Sequence, residues 1–354
     1  IQVGLYDPCT IIDFEVPKKY GLSQTIADSN GIGGIFRALR TIPVLKDFTD
    51  DMAEVCPNAY FLNYTNPMAQ LAGYLGRYTP IKSVGLCHSV QGCSRNLLKD
   101  LGIEYKEPLR ESIAGINHMG WLLELEDADG NDLYPEIRER AIAILESGKT
   151  DHHDLVRYEY IRRLGYYCTE SSEHNAEYND FFIKSKYPEL IERYNIPLDE
   201  YPRRCINQIE NWKKDREKYM HDDVTHTRTT EYASYIMEAI VTDIPYKIGG
   251  NVINNGLIPN LPAEACVEVA CLVNKNGIQP CAQKPLPLQL AAMNSAMIGV
   301  QLLTIEAAVT QKKETIYQAA MLDPHTSSEL SIDEIIRLCD DLIEAHGSYL
   351  PKYH

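Results

Sequence analysis

A chain of 354 residues, 44% hydrophobic and 24% charged, has an ordinary globular composition and length for one large or two ordinary domains. A formal net charge of -16 argues against nucleic acid or an anionic membrane surface as partner. No apolar run reads as a membrane span, and residues 1–8 carry neither the basic flank nor the apolar core of a signal peptide.

Residues 1–31 are polar and interrupted, with Tyr6-Asp7-Pro8-Cys9 and Gly21-Leu22-Ser23 as turn material. Gly31-Ile32-Gly33-Gly34 then leads into helix-like residues 35–40. Glycines ahead of a helix can cradle a phosphate, but no strand precedes them and no P-loop lysine follows, so a flexible helix start is the better reading. Val44, Leu45, Phe48, Met52 and Val55 recur at helical spacing and predict a helix over 43–56. Strands are predicted at 60–64 and 81–86, and helices at 68–78 and 89–101. This alternation predicts a parallel sheet, the second half of a doubly wound domain without its opening strand and glycine fingerprint.

The pattern then changes. Residues 121–125, the turn Asp127-Ala128-Asp129-Gly130-Asn131, and Leu133-Tyr134 read as a hairpin or a strand with a tight turn. Helices are expected at 135–147, 154–165, 210–219 and 232–241, strands at 246–252 and 265–273, and long helices over 287–322 and 331–347. There is no repeat or linker, which predicts an α+β body packed directly on the sheet. The ten cysteines are scattered without zinc-knuckle spacing, as expected of reduced thiols in a cytoplasmic protein.

Candidate chemistry concentrates between Asn63 and Trp121, where polar side chains follow apolar runs and so sit at strand ends, the usual ligand position in open α/β sheets. Asn66, Cys87, His88, Asn117 and His118 form one candidate site. A thiolate and an imidazole, Cys87 and His118, can hold a divalent metal and leave positions open for substrate; the bland alternative is a buried thiol and a hydrogen-bonded core histidine. Asn117 either orients His118 or binds a hydroxyl. His88 is an acid–base candidate or a structural residue at a helix start. Farther on, Glu170, Glu173, His174, Glu177 and Tyr178 form an ionisable cluster. On a helix, His174 and Tyr178 share a face and suit a base with a tuning neighbour, but a solvated helix start capped by Ser171 or Ser172 is the commoner explanation. Asn251, Asn254, Asn255 and Gly256 are either a sugar-binding loop or a polar turn.

Together these segments resemble glycoside hydrolase family 4, most closely its melibiase-type α-galactosidases. The stretches that carry the resemblance are 24–28, 33–43, 63–68, 85–92, 114–118, 169–178, 266–271 and Asp323-Pro324-His325-Thr326. The resemblance implies a Rossmann-type doubly wound sheet, its N-terminal part missing here (residues 1–86), followed by an α+β catalytic and oligomerisation domain of the lactate/malate-dehydrogenase-like kind (residues 87–354). It also implies NAD and Mn²⁺ as cofactors, an α-galactoside as substrate, and a homodimer or homotetramer. The implied chemistry departs from the two-carboxylate scheme of most glycosidases. NAD⁺ oxidises C3 of the sugar, a base removes the C2 proton, the leaving group departs from C1, water adds, and the hydride returns. By position, Cys87 and His118 match the metal ligands and Asn66 the asparagine that holds sugar hydroxyls. His88 stands where the family's phosphoglucosidases carry an acid, which implies a non-phosphorylated sugar. The base falls in the segment 170–178, with Tyr178 and His174 as candidates. An α-galacturonidase, an α-glucosidase and an NAD-dependent 2-hydroxyacid dehydrogenase are the alternatives.

Overall fold

The computed structural model describes residues 3–4, 6–222 and 225–354. Of the stretch expected to be turn material, Ile1, Gln2 and Leu5 lie outside the described residues. Residues 6–9 are helical instead, a short π-helical turn, Tyr6–Thr10, running into α1 (Ile11–Lys18), while residues 19–30, with the expected turn at 21–23, form turns and irregular chain. The burial of Phe14 and Val16 holds α1 to the body.

The glycine cluster and the helix expected at 43–56 are one 25-residue helix, α2 (Gly31–Val55). Pro43 sits inside it, and the buried apolar face from Ile32 to Leu45 offsets the cost of a proline in a helix interior, roughly 3 kcal/mol. The glycines are not a flexible start. A Cβ on Gly33 would lie 2.6 Å from the Ala27 carbonyl oxygen, and one on Gly34 2.6 Å from the Ser29 carbonyl carbon. They let α2 press against the segment that carries Asp28.

The strands are β1 (Tyr60–Asn63), β2 (Lys82–Gly85), β3 (Arg110–Ile116), β4 (Met119–Glu126), β5 (Tyr167–Cys168), β6 (Tyr246–Ile253), β7 (Cys266–Asn274) and β8 (Gly277–Pro280). They form one sheet in the order β1-β2-β6-β7-β3-β4-β5, with β8 on β7. The α/β class is as expected, but parallel pairing is confined to β1 and β2. From Gly85 opposite Asn251 onward the described pairs are antiparallel. After β2 the chain pairs β3 with β4, β6 with β7 and β7 with β8 as consecutive antiparallel strands, and the helices between β4, β5 and β6 do not return the chain as a parallel neighbour.

Helix α3 (Met68–Tyr78) links β1 to β2, and α4 (His88–Gln91) and α5 (Cys93–Asp100) follow β2. The hairpin expected around 121–134 lies earlier. β3 pairs with β4 through a two-residue turn, Asn117-His118, while Leu133 caps the helix α6 (Tyr134–Glu146). Next come α7 (Leu155–Leu164), α8 (Ser172–Ala176), α9 (Glu189–Arg193), α10 (Glu200–His221) and α11 (Ala233–Thr242). The expected helix at 287–322 is two, α12 (Leu288–Thr310) and α13 (Lys313–Leu322), broken at Gln311 in the left-handed region. Helix α12 is long and apolar enough to cross a membrane by length and composition, contrary to the sequence reading; half of that apolar window is buried, against α2, α3 and α13. The fold ends in α14 (Pro324–Glu329) and α15 (Ile332–His346), the latter begun by a Ser331–Glu334 capping box. The ten cysteines are free thiols.

Candidate active site

The parallel pair β1–β2 places two of the candidate residues. Asn63 pairs with Gly85, and the Leu86 N–H donates to the Asn63 carbonyl at 2.8 Å, so the chain segments after both strands leave the sheet side by side. The Asn63 side chain closes a turn, its Oδ1 accepting from the Thr65 N–H and its Nδ2 donating to the Thr65 carbonyl, both at 3.1 Å. That turn presents Asn66. Its Nδ2 donates to Asp28 Oδ2 at 3.3 Å, and its Oδ1 is buried with no partner among the described residues. Cys87 is the extended residue just before α4, and its Sγ accepts from the Ser89 hydroxyl at 3.2 Å.

The β3–β4 turn supplies the third. His118 adopts φ 63°, in the left-handed region, at the second position of this turn, and is 2% exposed. Its Nδ1 lies 2.9 Å from the Tyr178 hydroxyl, and its Nε2 lies 3.4 Å from Glu170 Oε2. Ligand atoms of Cys87, His118 and Glu170 all lie within 4.8 Å of one another, and the same holds for Asp28, His118 and His174. Thiolate, imidazole and carboxylate are a donor set that suits a divalent cation, and Asn66, whose Oδ1 has no partner among the described residues, lines the same cavity.

The segment 169–178 is not a solvated helix start. His174, Glu177 and Tyr178 are buried, and Ser171 spends its hydroxyl on His174 Nδ1 at 2.8 Å instead of capping. Tyr178 lies beyond the end of α8, so it does not share a helix face with His174; the rings still meet edge-on with centroids 6.1 Å apart. Glu177 anchors the segment from behind, accepting backbone N–H bonds from Thr25 at 2.7 Å and Ala27 at 2.8 Å. Asp28 is held by this contact and by the close approach of Gly33 and Gly34.

Burial makes the charges interact strongly. Desolvation works against the His118 imidazolium, but the Glu170 carboxylate and the Cys87 sulfur outweigh it and raise its pKa to about 10. Burial likewise works against the Glu170 anion, yet His118 and His174 pull its pKa down to about 2. His174 is lowered, by burial first and by His118 second, against the pull of Glu170. Burial carries the Tyr178 hydroxyl far above its ordinary value.

The resulting cavity of about 270 Å³ is lined by Asp28, Asn66, Cys87, His118, Glu170 and His174, with Ile26, Met68 and Leu86 as apolar wall. His88 stands at its rim with its side chain 62% exposed, 2.7 Å from Glu231 Oε1 and stacked on Tyr64 at 5.4 Å. Asn117, expected to reach a substrate hydroxyl, is buried outside the cavity lining, beside Glu268. The Asn254 side chain is consumed by its own turn, bonding Ile258, Leu261 and Pro262, and Asn251 bonds Glu268 at 2.9 Å, so that loop is a structural turn. Sequence reasoning passed over Asp28, Arg204, Tyr201 and Glu268. Asp28 stands in the stretch 24–28 and Glu268 in 266–271, so both were findable; Tyr201 and Arg204 carry no local signal.

Comparison with known proteins places these residues in context. A family model described as family 4 glycosyl hydrolase matches residues 1–103, and one described as the family 4 glycosyl hydrolase C-terminal domain matches residues 113–326. An α-galactosidase of Bacillus subtilis (strain 168) is 61% identical over all 354 residues, covering 81% of that protein. An α-galactosidase of Rhizobium meliloti (strain 1021) is 31% identical over 96% of this chain and 71% of its own length. Among solved structures, a 6-phospho-α-glucosidase from gut microorganisms, in complex with NAD and Mn²⁺, superimposes with a TM-score of 0.78 at 20% identity, covering 100% of this chain and 81% of that one.

Proposed function

The chain belongs to glycosyl hydrolase family 4, and from that membership we propose that it hydrolyses terminal α-galactosides with NAD and a divalent metal, Mn²⁺. The observation that carries this reading is the donor set of buried Cys87 and His118 with partly exposed Glu170, beside an Asn66 Oδ1 that has no partner among the described residues. Cys87 and His118 hold the metal, and Asn66 holds the sugar hydroxyls next to it. When bound, the metal supplies Lewis acidity at sugar oxygens, and the nicotinamide exchanges a hydride with a carbinol carbon. Ile26, Met68 and Leu86 give the cavity an apolar wall beyond the ends of β1 and β2.

The chain's own side chains manage protons. Tyr178 and His174 are the candidate bases for the C2 proton. His174 lines the cavity, whereas Tyr178 lies behind His118, with its hydroxyl 2.9 Å from His118 Nδ1. A neutral His118 carrying its proton on Nδ1 would donate to the Tyr178 oxygen and favour the deprotonated phenol. His88, at the rim, is positioned to exchange a proton with the departing group.

A neutral galactoside suits the cavity better than a uronate. The lining cation Arg204 is already bound by Glu200 at 3.0 Å and by Glu173, so it has little charge to spare for a sugar carboxylate. We further propose that residues 1–86 belong to the cofactor-binding half and 87–354 to the catalytic half, that the protein acts in the cytoplasm, in keeping with its free thiols, and that nucleic acid and membranes are not its partners. A homodimer or homotetramer fits α10, which exposes Ile206, Ile209, Trp212 and Tyr219 by about half each and buries no residue.

The test is hydrolysis of an aryl α-galactoside by the full-length protein after dialysis against chelator, with NAD⁺ and Mn²⁺ added singly and together. Turnover is expected only with both. Turnover that ignores both additives overturns the redox mechanism.

A further inference from the structure

The connection between β5 and α8 is three residues long, Thr169-Glu170-Ser171, and it carries the carboxylate that stands with Cys87 and His118. Glu170 adopts φ 64° there. A residue with a Cβ is disfavoured in that left-handed region and keeps it only where the surroundings fix the backbone. The sheet fixes one side of the loop: the Thr169 N–H donates to the Gly120 carbonyl at 2.7 Å, and the Gly120 N–H to Thr169 Oγ1 at 3.1 Å. Asn175 closes the loop on itself, its Nδ2 donating to the Thr169 and Ser171 carbonyls at 3.0 and 3.1 Å.

The other side is held by a buried carboxylate outside the cavity lining. Asp154 is fully buried at the N-cap position of α7, where an aspartate ordinarily accepts from the first free N–H groups of its helix. Its carboxylate makes no such bond. Ser172, the first residue of α8, caps α7 in its place, with Ser172 Oγ accepting from the Arg157 N–H at 3.2 Å. The Asp154 carboxylate turns instead to the residues on either side of the loop. Its Oδ1 accepts from the Ser172 hydroxyl at 2.9 Å, and its Oδ2 from the Tyr167 hydroxyl at 2.7 Å. The Ser172 hydroxyl thus serves as acceptor and donor at once. Arg157 Nε pairs with Asp154 Oδ1 and its guanidinium lies 4.4 Å from the Tyr167 ring centroid, so the buried charge is balanced.

We propose that Asp154 is a positioning residue for the metal donors: by holding Tyr167 and Ser172 together it sets where the Glu170 carboxylate stands relative to Cys87 and His118. The inference rests on the reading of Glu170 as a metal donor and is independent of which sugar is hydrolysed.

Mn²⁺ binding is measured by calorimetry on full-length protein, stripped of metal and saturated with NAD⁺. Wild type is compared with Asp154→Asn, Glu170→Gln and the double variant. Asp154→Asn is expected to weaken Mn²⁺ binding about tenfold and Glu170→Gln more than that. The double variant should match Glu170→Gln within about twofold, because Asp154 acts through Glu170. A tenfold loss that Asp154→Asn also causes in the Glu170→Gln background is a general structural effect and overturns the assignment. So does an unchanged affinity in Asp154→Asn where Glu170→Gln is weakened. An unchanged affinity in Glu170→Gln overturns the donor reading itself, and the assignment with it. Should Asp154→Asn fail to fold, Ser172→Ala decides, since it removes one hydroxyl and no buried charge. A loss of about threefold that appears only with Glu170 present supports the assignment; no loss overturns it.

Discussion

His118 and His88 line the same cavity, yet the two regions that carry them work by different physics. His118 sits on a tight hairpin turn, 2% exposed, enclosed by Tyr178, Glu170 and His174. There each charge is felt by its neighbours with little screening. His88 sits on the one-turn helix α4 with its side chain 62% exposed, held by a single ion pair to Glu231 and a stack on Tyr64. An exposed pair of that kind contributes at most about 1 kcal/mol. The lesson is a division of labour. The buried wall holds its donors in fixed contacts, and the exposed rim has room to adjust.

The sharpest way to break this comparison is at the wall. Cys87→Ser and His118→Ala are each expected to lower kcat about 10³-fold, a magnitude typical of losing a preorganised electrostatic stabiliser, with Mn²⁺ binding by calorimetry weakened in parallel and circular dichroism unchanged. Near-normal Mn²⁺ affinity in either variant would remove that residue from the ligand set.

Next comes Glu268, whose carboxyl burial raises to about 7 from an ordinary 4.5, against the hydrogen bond from Asn251. A raised folded-state pKa means stability is complete below pH 4.5 and falls as pH rises through 7. The loss amounts to about 3 kcal/mol in order of magnitude. Urea unfolding of metal-free protein between pH 5 and 8 should show this decline in wild type and a flatter profile in Glu268→Gln. Parallel profiles would refute a neutral Glu268.

Tyr178→Phe should reduce kcat about 10²-fold, within the range for general base catalysis, while preserving Mn²⁺ affinity within a few-fold. If excess Mn²⁺ restores the rate instead, Tyr178 serves only to orient His118. At the rim, His88→Asn is expected to cost about tenfold with the aryl substrate and Glu231→Gln less than about twofold. A rim loss matching the wall's would dissolve the distinction between the two regions.

The sequence was informative where local pattern and chemistry coincide. Apolar runs followed by Asn66 and Cys87 are the ends of β1 and β2, and Asn117-His118 follows β3. It misled where burial decides. The segment 169–178 is as polar as any solvated helix start, and only the arrival of Thr25–Ala27 on Glu177, and of His118 on Tyr178, takes it out of water. The glycines at 33 and 34 posed the same ambiguity, since a flexible start and a close backbone approach need the same residue.

By itself, the sequence determined the two periodicities, the strand ends and the inventory of donors, because each depends on neighbours within a few residues. Which of those donors share one cavity was decided by tertiary structure alone. Asp28, Cys87, His118 and His174 lie on four separate segments, and their common site follows from sheet register and helix packing, whose contacts join residues far apart in the chain.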